Sequence, residues 1–161
     1  MTTSNLGRLG GTFALLYGSH PIADLWVQTN WQAATKGGQG ADARRACATH
    51  VATLTATHAL ALTAGALATG ERLPLRRVAA GLAVNAATHY VIDRRKPLRR
   101  LAELLAATGK PEFHDLGMPR DGHDDNPCLG TGAYALDQAL HSACLAAVAG
   151  YIARPVKGGA A

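Results

Sequence analysis

Asn85-Ala-Ala-Thr-His-Tyr-Val-Ile-Asp93 is the stretch whose reading decides the fold. Wound as an α-helix, it stacks Asn85, His89 and Asp93 on one face at four-residue steps. Around them stand Ala, Val, Tyr and Ile, so a polar stripe runs along an apolar rod. A helix bathed in water normally has the reverse proportions, an apolar stripe on a polar rod. The same pairing recurs as His20-x3-Asp24 and as Asp137-x3-His141, each inside an otherwise apolar segment.

Outward from these pairs the chain reads as all-α. Apolar residues make up 48% of its 161 positions, and only two Phe and two Trp are among them. Ala and Leu dominate that share, and both favour helix, whereas the β-formers are too sparse to build a sheet. The length suits a single helical domain, expected over 1–153, with a flexible basic tail over 154–161. Four helices are predicted near 9–31, 44–69, 75–94 and 130–153, forming a four-helix bundle. A short amphipathic helix is expected over 97–107, with Leu98, Leu101, Leu104 and Leu105 on one side. Residues 110–127, rich in Gly, Pro and Asp, read as irregular. Pro21 should kink or restart the first helix, and Lys36-Gly-Gly-Gln-Gly40 reads as a loop. The apolar run after Arg8 lacks a small-x-small cleavage signal and reads as retained structure.

Residues 46–69 carry no Asp, Glu, Lys or Arg. That is long enough to cross a bilayer, which needs about 20 apolar positions. The last segment carries a single one, Asp137. Mean hydropathy is only +0.02, low for a membrane protein. Yet the second and fourth helices lack the charged outer face of a soluble bundle. A transmembrane bundle with the lipid bilayer as partner is therefore expected, the alternative being a soluble cytoplasmic bundle. Trp26 and Trp31 suit an interface. The net charge of +5 is concentrated in Arg94-Arg95-Lys96 and Arg99-Arg100. Without interleaved aromatics, this cluster reads as a juxtamembrane or solvated face, not a nucleic-acid surface. Cys47, Cys128 and Cys144 show no Cys-x-x-Cys spacing and read as free thiols.

The ionisable residues inside the apolar segments are His20, Asp24, His50, His58, His89, Asp93, Asp137 and His141. Such groups at membrane depth are costly, and they usually face the interior, paired with one another or with an ion. A His and an Asp one turn apart supply two ligands, or one ligand and its orienter. The candidate metal ligands are His20, Asp24, His50, His89, Asp93, Asp137 and His141, with zinc, manganese or iron as the metal. His50 and Asp93 are also the candidate catalytic groups, His50 as a general base. A metal-dependent hydrolase of a lipid or phosphorylated substrate is the leading expectation. Any one pair serves equally well as an interhelical hydrogen bond, so two alternatives stand beside it. One is a non-enzymatic membrane accessory protein with structural pairs; the other is a soluble helical metallohydrolase. Asn85 reads as a helix-contact group. His50 and His58, about two turns apart, share a face but do not reach one ion unaided. His114-Asp115 and His123-Asp124-Asp125 read as a solvated connection. Homo-oligomerisation is left open.

Taken in order, His20-Pro-Ile-Ala-Asp24-Leu-Trp-Val-Gln28-Thr, Lys36, His50, Thr88-His89-Tyr-Val-Ile-Asp93 and Leu136-Asp137-Gln138-Ala-Leu-His141 resemble the bacterial and phage membrane proteins of the domain of unknown function 3307 family. The resemblance spans nearly the whole chain. It implies a small integral protein, of the inner membrane in bacteria, with its His and Asp residues gathered inside. No reaction comes with it. The chain departs from the family in its weakly hydrophobic, Ala-rich helices and in the long insert after Arg100.

Overall fold

The computed structural model describes residues 4–118 and 130–155. Among them it is all-α, with seven α-helices and no strand. The helices are α1 (Asn5–Ile22), α2 (Asn30–Thr35), α3 (Gly40–Thr69), α4 (Leu75–Asp93), α5 (Lys96–Leu104), α6 (Lys110–His114) and α7 (Gly132–Ile152). The four longest close a ring: α1 packs on α3 and α7, and α4 packs on the same two.

Local chemistry sets the boundaries. Ser4 caps α1 by accepting from the Gly7 N–H, and Thr131 caps α7 by accepting from Tyr134. Thr29 and Gln32 form a reciprocal capping box at α2, which satisfies two donors that an open helix end would leave bare. α3 stops at Gly70, whose φ of 69° is open to a glycine at little cost. Pro74 then stands immediately before α4.

Pro21 does not break the first helix, which runs through it to Ile22. The distortion comes just after, where Ala23–Val27 widens into a π-turn closed by Gln28 N–H on the Ala23 carbonyl at 2.9 Å. The single helix expected over 9–31 is therefore α1, this turn and a separate α2. The short helix predicted over 97–107 is α5, but only Leu98 of its leucines is buried, while Leu101, Leu104 and Leu105 are exposed. Residues 110–114, expected to be irregular, form α6. Two prolines sit at the N-terminal turns of α5 and α6, where no intrahelical donor is lost. Of the tail, Arg154 and Pro155 are held by the Arg77 guanidinium on their carbonyls; residues 156–161 lie outside the described residues.

The interior divides into two zones along the ring. Leu16, Leu62, Leu82, Leu145, Val148, Ala149 and Ile152 fill one end. Gly81 lets α7 come close there, since a β-carbon on it would stand 3.0 Å from the Ile152 side chain. The other end holds the C-terminal turns of α1 and α4 and the N-terminal halves of α3 and α7, and it is polar.

Candidate metal centre

Each of the four long helices delivers imidazole or carboxylate to this polar end. The three sequence pairs are all realised one turn apart: His20 Nε2 to Asp24 Oδ2 at 3.4 Å, His89 Nε2 to Asp93 Oδ2 at 3.2 Å, and His141 Nε2 to Asp137 Oδ2 at 3.5 Å. Asp24 belongs to the π-turn, and such turns are frequent at functional sites. Asp24 Oδ1 reaches across to His50 Nε2 at 3.2 Å and to His89 Nε2 at 3.8 Å. Asp93 Oδ2 lies 3.4 Å from His50 Nε2, and the two imidazole nitrogens stand 3.1 Å apart. The other oxygen of Asp93 is 3.7 Å from His141 Nε2. The His89 and His141 rings stack at 4.0 Å, and His20 lies 5.0 Å from His141.

All seven candidate ligands therefore meet in one region. His50 and His89 are fully buried, and the Asp93 side chain is only 4% exposed. Yet the polar atoms are not satisfied by one another. Asp24 Oδ1, both nitrogens of His20 and His141 Nε2 are buried without a hydrogen-bond partner. Buried polar groups are normally paired, and an orphan costs about 1–3 kcal/mol. A shared ion removes the conflict. Ligands about 2.0–2.2 Å from one metal lie about 2.8–3.6 Å from each other at tetrahedral or octahedral angles. The nitrogen–oxygen separations here, 3.2–3.8 Å, fall mostly within or just above that span. Three groups have ligand atoms close enough to hold an ion: His20, His89 and His141; Asp24, His50 and His89; and Asp93, Asp137 and His141. Imidazole with carboxylate suits zinc, manganese or iron.

Charge points the same way. With imidazoles counted as neutral, Asp24, Asp93 and Asp137 bring three negative charges. Among the described residues a cation, Lys36, stands against them, with Nζ 3.0 Å from Asp93 Oδ2. One ammonium leaves two negative charges in a largely dehydrated place, which is costly unless compensated. A divalent ion held there would supply that compensation, as would a proton on His141, which stands between two carboxylates.

Lys36 entered the sequence reading only through the family pattern. It sits in a glycine-rich turn with no helical spacing to single it out. Gln28 likewise entered as a site residue only with that pattern: its amide nitrogen donates to the Asp24 carbonyl at 2.9 Å, and its oxygen accepts from Lys36 Nζ at 3.0 Å. Arg94 fixes the same turn through the Lys36 and Gly38 carbonyls. His58 stands apart from the centre, as its two-turn offset from His50 implied. Its Nδ1 lies 2.7 Å from Ser19 Oγ, while that hydroxyl donates to the Leu15 carbonyl at 2.7 Å. With the Ser19 hydroxyl given to Leu15, His58 Nδ1 would be the donor to Ser19 Oγ; His58 Nε2 is buried and unpartnered. Asn85 is buried, with its amide nitrogen unpartnered.

Of His114-Asp115, expected to be solvated, Asp115 is half-exposed but His114 is not. His114 is buried, its Nδ1 lies 2.8 Å from Asp115 Oδ1, and Arg99 pairs with the same oxygen. The His114 hydrogen bond, with Arg99 beside it, holds the Asp115 carboxyl below its ordinary value. His123-Asp124-Asp125 and Cys128 lie outside the described residues. Cys47 and Cys144 are free thiols.

The class defined by fold and site is an all-α protein with a buried His/carboxylate cluster able to accept a metal ion. The family model described as "Protein of unknown function (DUF3307)" matches residues 12–157. The chain belongs to that family. No curated protein and no solved structure matches it.

Proposed function

We propose that this is a four-helix transmembrane protein whose interior binds a divalent metal ion and uses it to hydrolyse a lipid or another phosphorylated substrate. The membrane part rests on an inversion of burial. α3 is long and apolar enough to cross a bilayer, yet only 22% of its apolar window is buried. A helix at the heart of a soluble protein buries most of such a window. Here Leu60 and Leu67 face outward, as do Val84 and Val91 of α4. Trp26, which is 85% exposed, and Trp31 stand at the polar end, where aromatic rings anchor at the headgroups. Retention in the membrane fraction after carbonate extraction is the expected result; release into the supernatant refutes it.

The observation that carries the metal is the convergence of His50, His89, Asp24 and Asp93 at ligand-to-ligand distances, with Asp24 Oδ1 buried and without a hydrogen-bond partner. An ion held there would lower the pKa of a bound water and polarise a phosphoryl oxygen. In this reading Asp24, His50, His89 and Asp93 hold the ion, and Lys36 orients Asp93. His141, His20 and Asp137 stand beside them. Metal analysis of protein purified in detergent tests it: about one divalent ion per chain is expected, lost in His89→Ala. No metal in either protein refutes the reading.

A second reading is favoured by one contact. Lys36 already neutralises Asp93, as a purely structural polar core would require. In that case Lys36, Asp93 and the histidines fix helix register, and function survives Asp93→Asn at reduced stability.

A further inference from the structure

The two oxygens of Asp93 face different partners. Oδ2 is turned to His50 and His89, within 3.4 Å of each. Oδ1 is turned to His141 Nε2 at 3.7 Å, and that same nitrogen stands 3.5 Å from Asp137 Oδ2. His141 is 2% exposed, and its Nε2 has no hydrogen-bond partner although it lies between two carboxylate oxygens. Those separations are too long for hydrogen bonds but near the spacing of ligands on one ion. Asp24, His50 and His89 make one triad, and Asp93, Asp137 and His141 make another. A carboxylate with one oxygen in each is a natural bridge between two metals.

The charges then decide when the second ion enters. With the imidazoles neutral, as metal ligands are, three carboxylates against Lys36 and one divalent ion balance, so the one-metal state carries no net charge without a ligand. A second divalent ion brings two uncompensated positive charges into a poorly hydrated interior, which is unfavourable by itself. An entering dianion restores neutrality. Asp137 is the most open of the three carboxylates, its side chain 22% exposed against 12% for Asp24 and 4% for Asp93. The second triad therefore lies on the accessible side, where such an anion arrives.

We propose that Asp93 Oδ1, Asp137 and His141 form a second divalent-metal site, filled together with a phosphoryl dianion and bridged by Asp93 to the first. This rests on the metal reading above and names the substrate's charge. Binding of ion and anion is mutually reinforcing, and by linkage each raises the other's affinity by the same factor.

The test is Mn²⁺ titration of the full chain in detergent, with and without inorganic phosphate, read by equilibrium dialysis and electron paramagnetic resonance. Expected are one Mn²⁺ per chain without phosphate and two with it, the second accompanied by the spectrum of a coupled pair. Phosphate should tighten the second ion at least tenfold. Asp137→Asn should abolish the phosphate-dependent ion and keep the first, whose retention shows that the variant is folded. One ion per chain under both conditions overturns the second site but leaves the single-metal reading intact. Two ions without phosphate overturn the coupling to an anion. No ion under either condition defeats the metal reading itself.

Discussion

Removing the cation at the centre separates a metal site from a structural polar core. In Lys36→Met the ammonium 3.0 Å from Asp93 Oδ2 is replaced by an apolar chain of similar length. At an effective dielectric constant of about 20, the lost attraction is about 5–6 kcal/mol before desolvation is counted. Breaking one partner out of a buried ion pair costs about 3–5 kcal/mol, because the remaining charge is stranded. Both side chains are well sheltered, 13% and 4% exposed, so solvent screening recovers little of it. At about 2–4 °C per kcal/mol for a chain of this size, the metal-free variant should melt about 6–20 °C below wild type. With a saturating divalent ion, Asp93 is a ligand and depends less on the ammonium. The difference between variant and wild type should then shrink to less than about half of its metal-free value. Melting curves in detergent, with chelator and with Mn²⁺, read both numbers. An equal loss under the two conditions refutes the idea that an ion and Lys36 share the charge of Asp93. No loss in chelator refutes the ion pair as well.

Other perturbations probe the frame around the site. Ser19→Ala removes the acceptor for His58 Nδ1 and should cost about 1–3 kcal/mol, the penalty of a stranded buried donor; Ser19→Thr should restore most of it, and denaturation of the three proteins measures the difference. Gly132→Ala drives a β-carbon into the Phe113 carbonyl, which is backbone and cannot swing away, so the α6–α7 junction should open and become accessible to limited proteolysis. Asp115 has a folded-state pKa below its ordinary 3.8, so it contributes stability that is present above that value and lost as pH falls through the depressed one. Asp115→Asn should therefore lower stability at neutral pH and leave a flatter stability profile below about pH 4, to be read by denaturation across that range.

The long helices were legible because their signals are local. Apolar runs broken at Gly70 and Pro74, and His/Asp pairs at one-turn spacing, fix both element and face without knowledge of the partner. The gathering of His20, Asp24, His50, His89, Asp93, Asp137 and His141 followed from the cost of leaving such groups among apolar neighbours. What escaped depends on geometry that no short window encodes. The π-turn at Ala23–Val27 arises after Pro21, not at it. Lys36 reaches Asp93 across 57 positions of sequence. The polarity of α5 suggested four leucines on one buried side, but α5 is anchored by Leu98 and Ala102 alone. His114 looked solvated because its shelter comes from α5 and α7, not from its own neighbours.

The widened turn at Asp24 reaches further than the aim of one carboxylate. Its backbone carbonyl takes a donor from Gln28, whose oxygen holds Lys36, whose ammonium holds Asp93. The end of α1 and the end of α4 are thus joined by a single polar strut, with the glycine-rich turn before α3 hanging from its middle. A change in the separation between the Asp24 backbone and the Asp93 carboxylate would lengthen, shorten or break that strut. A shift of the Asp24 backbone relative to Asp93 would therefore be felt first at Lys36, in the turn that leads into α3.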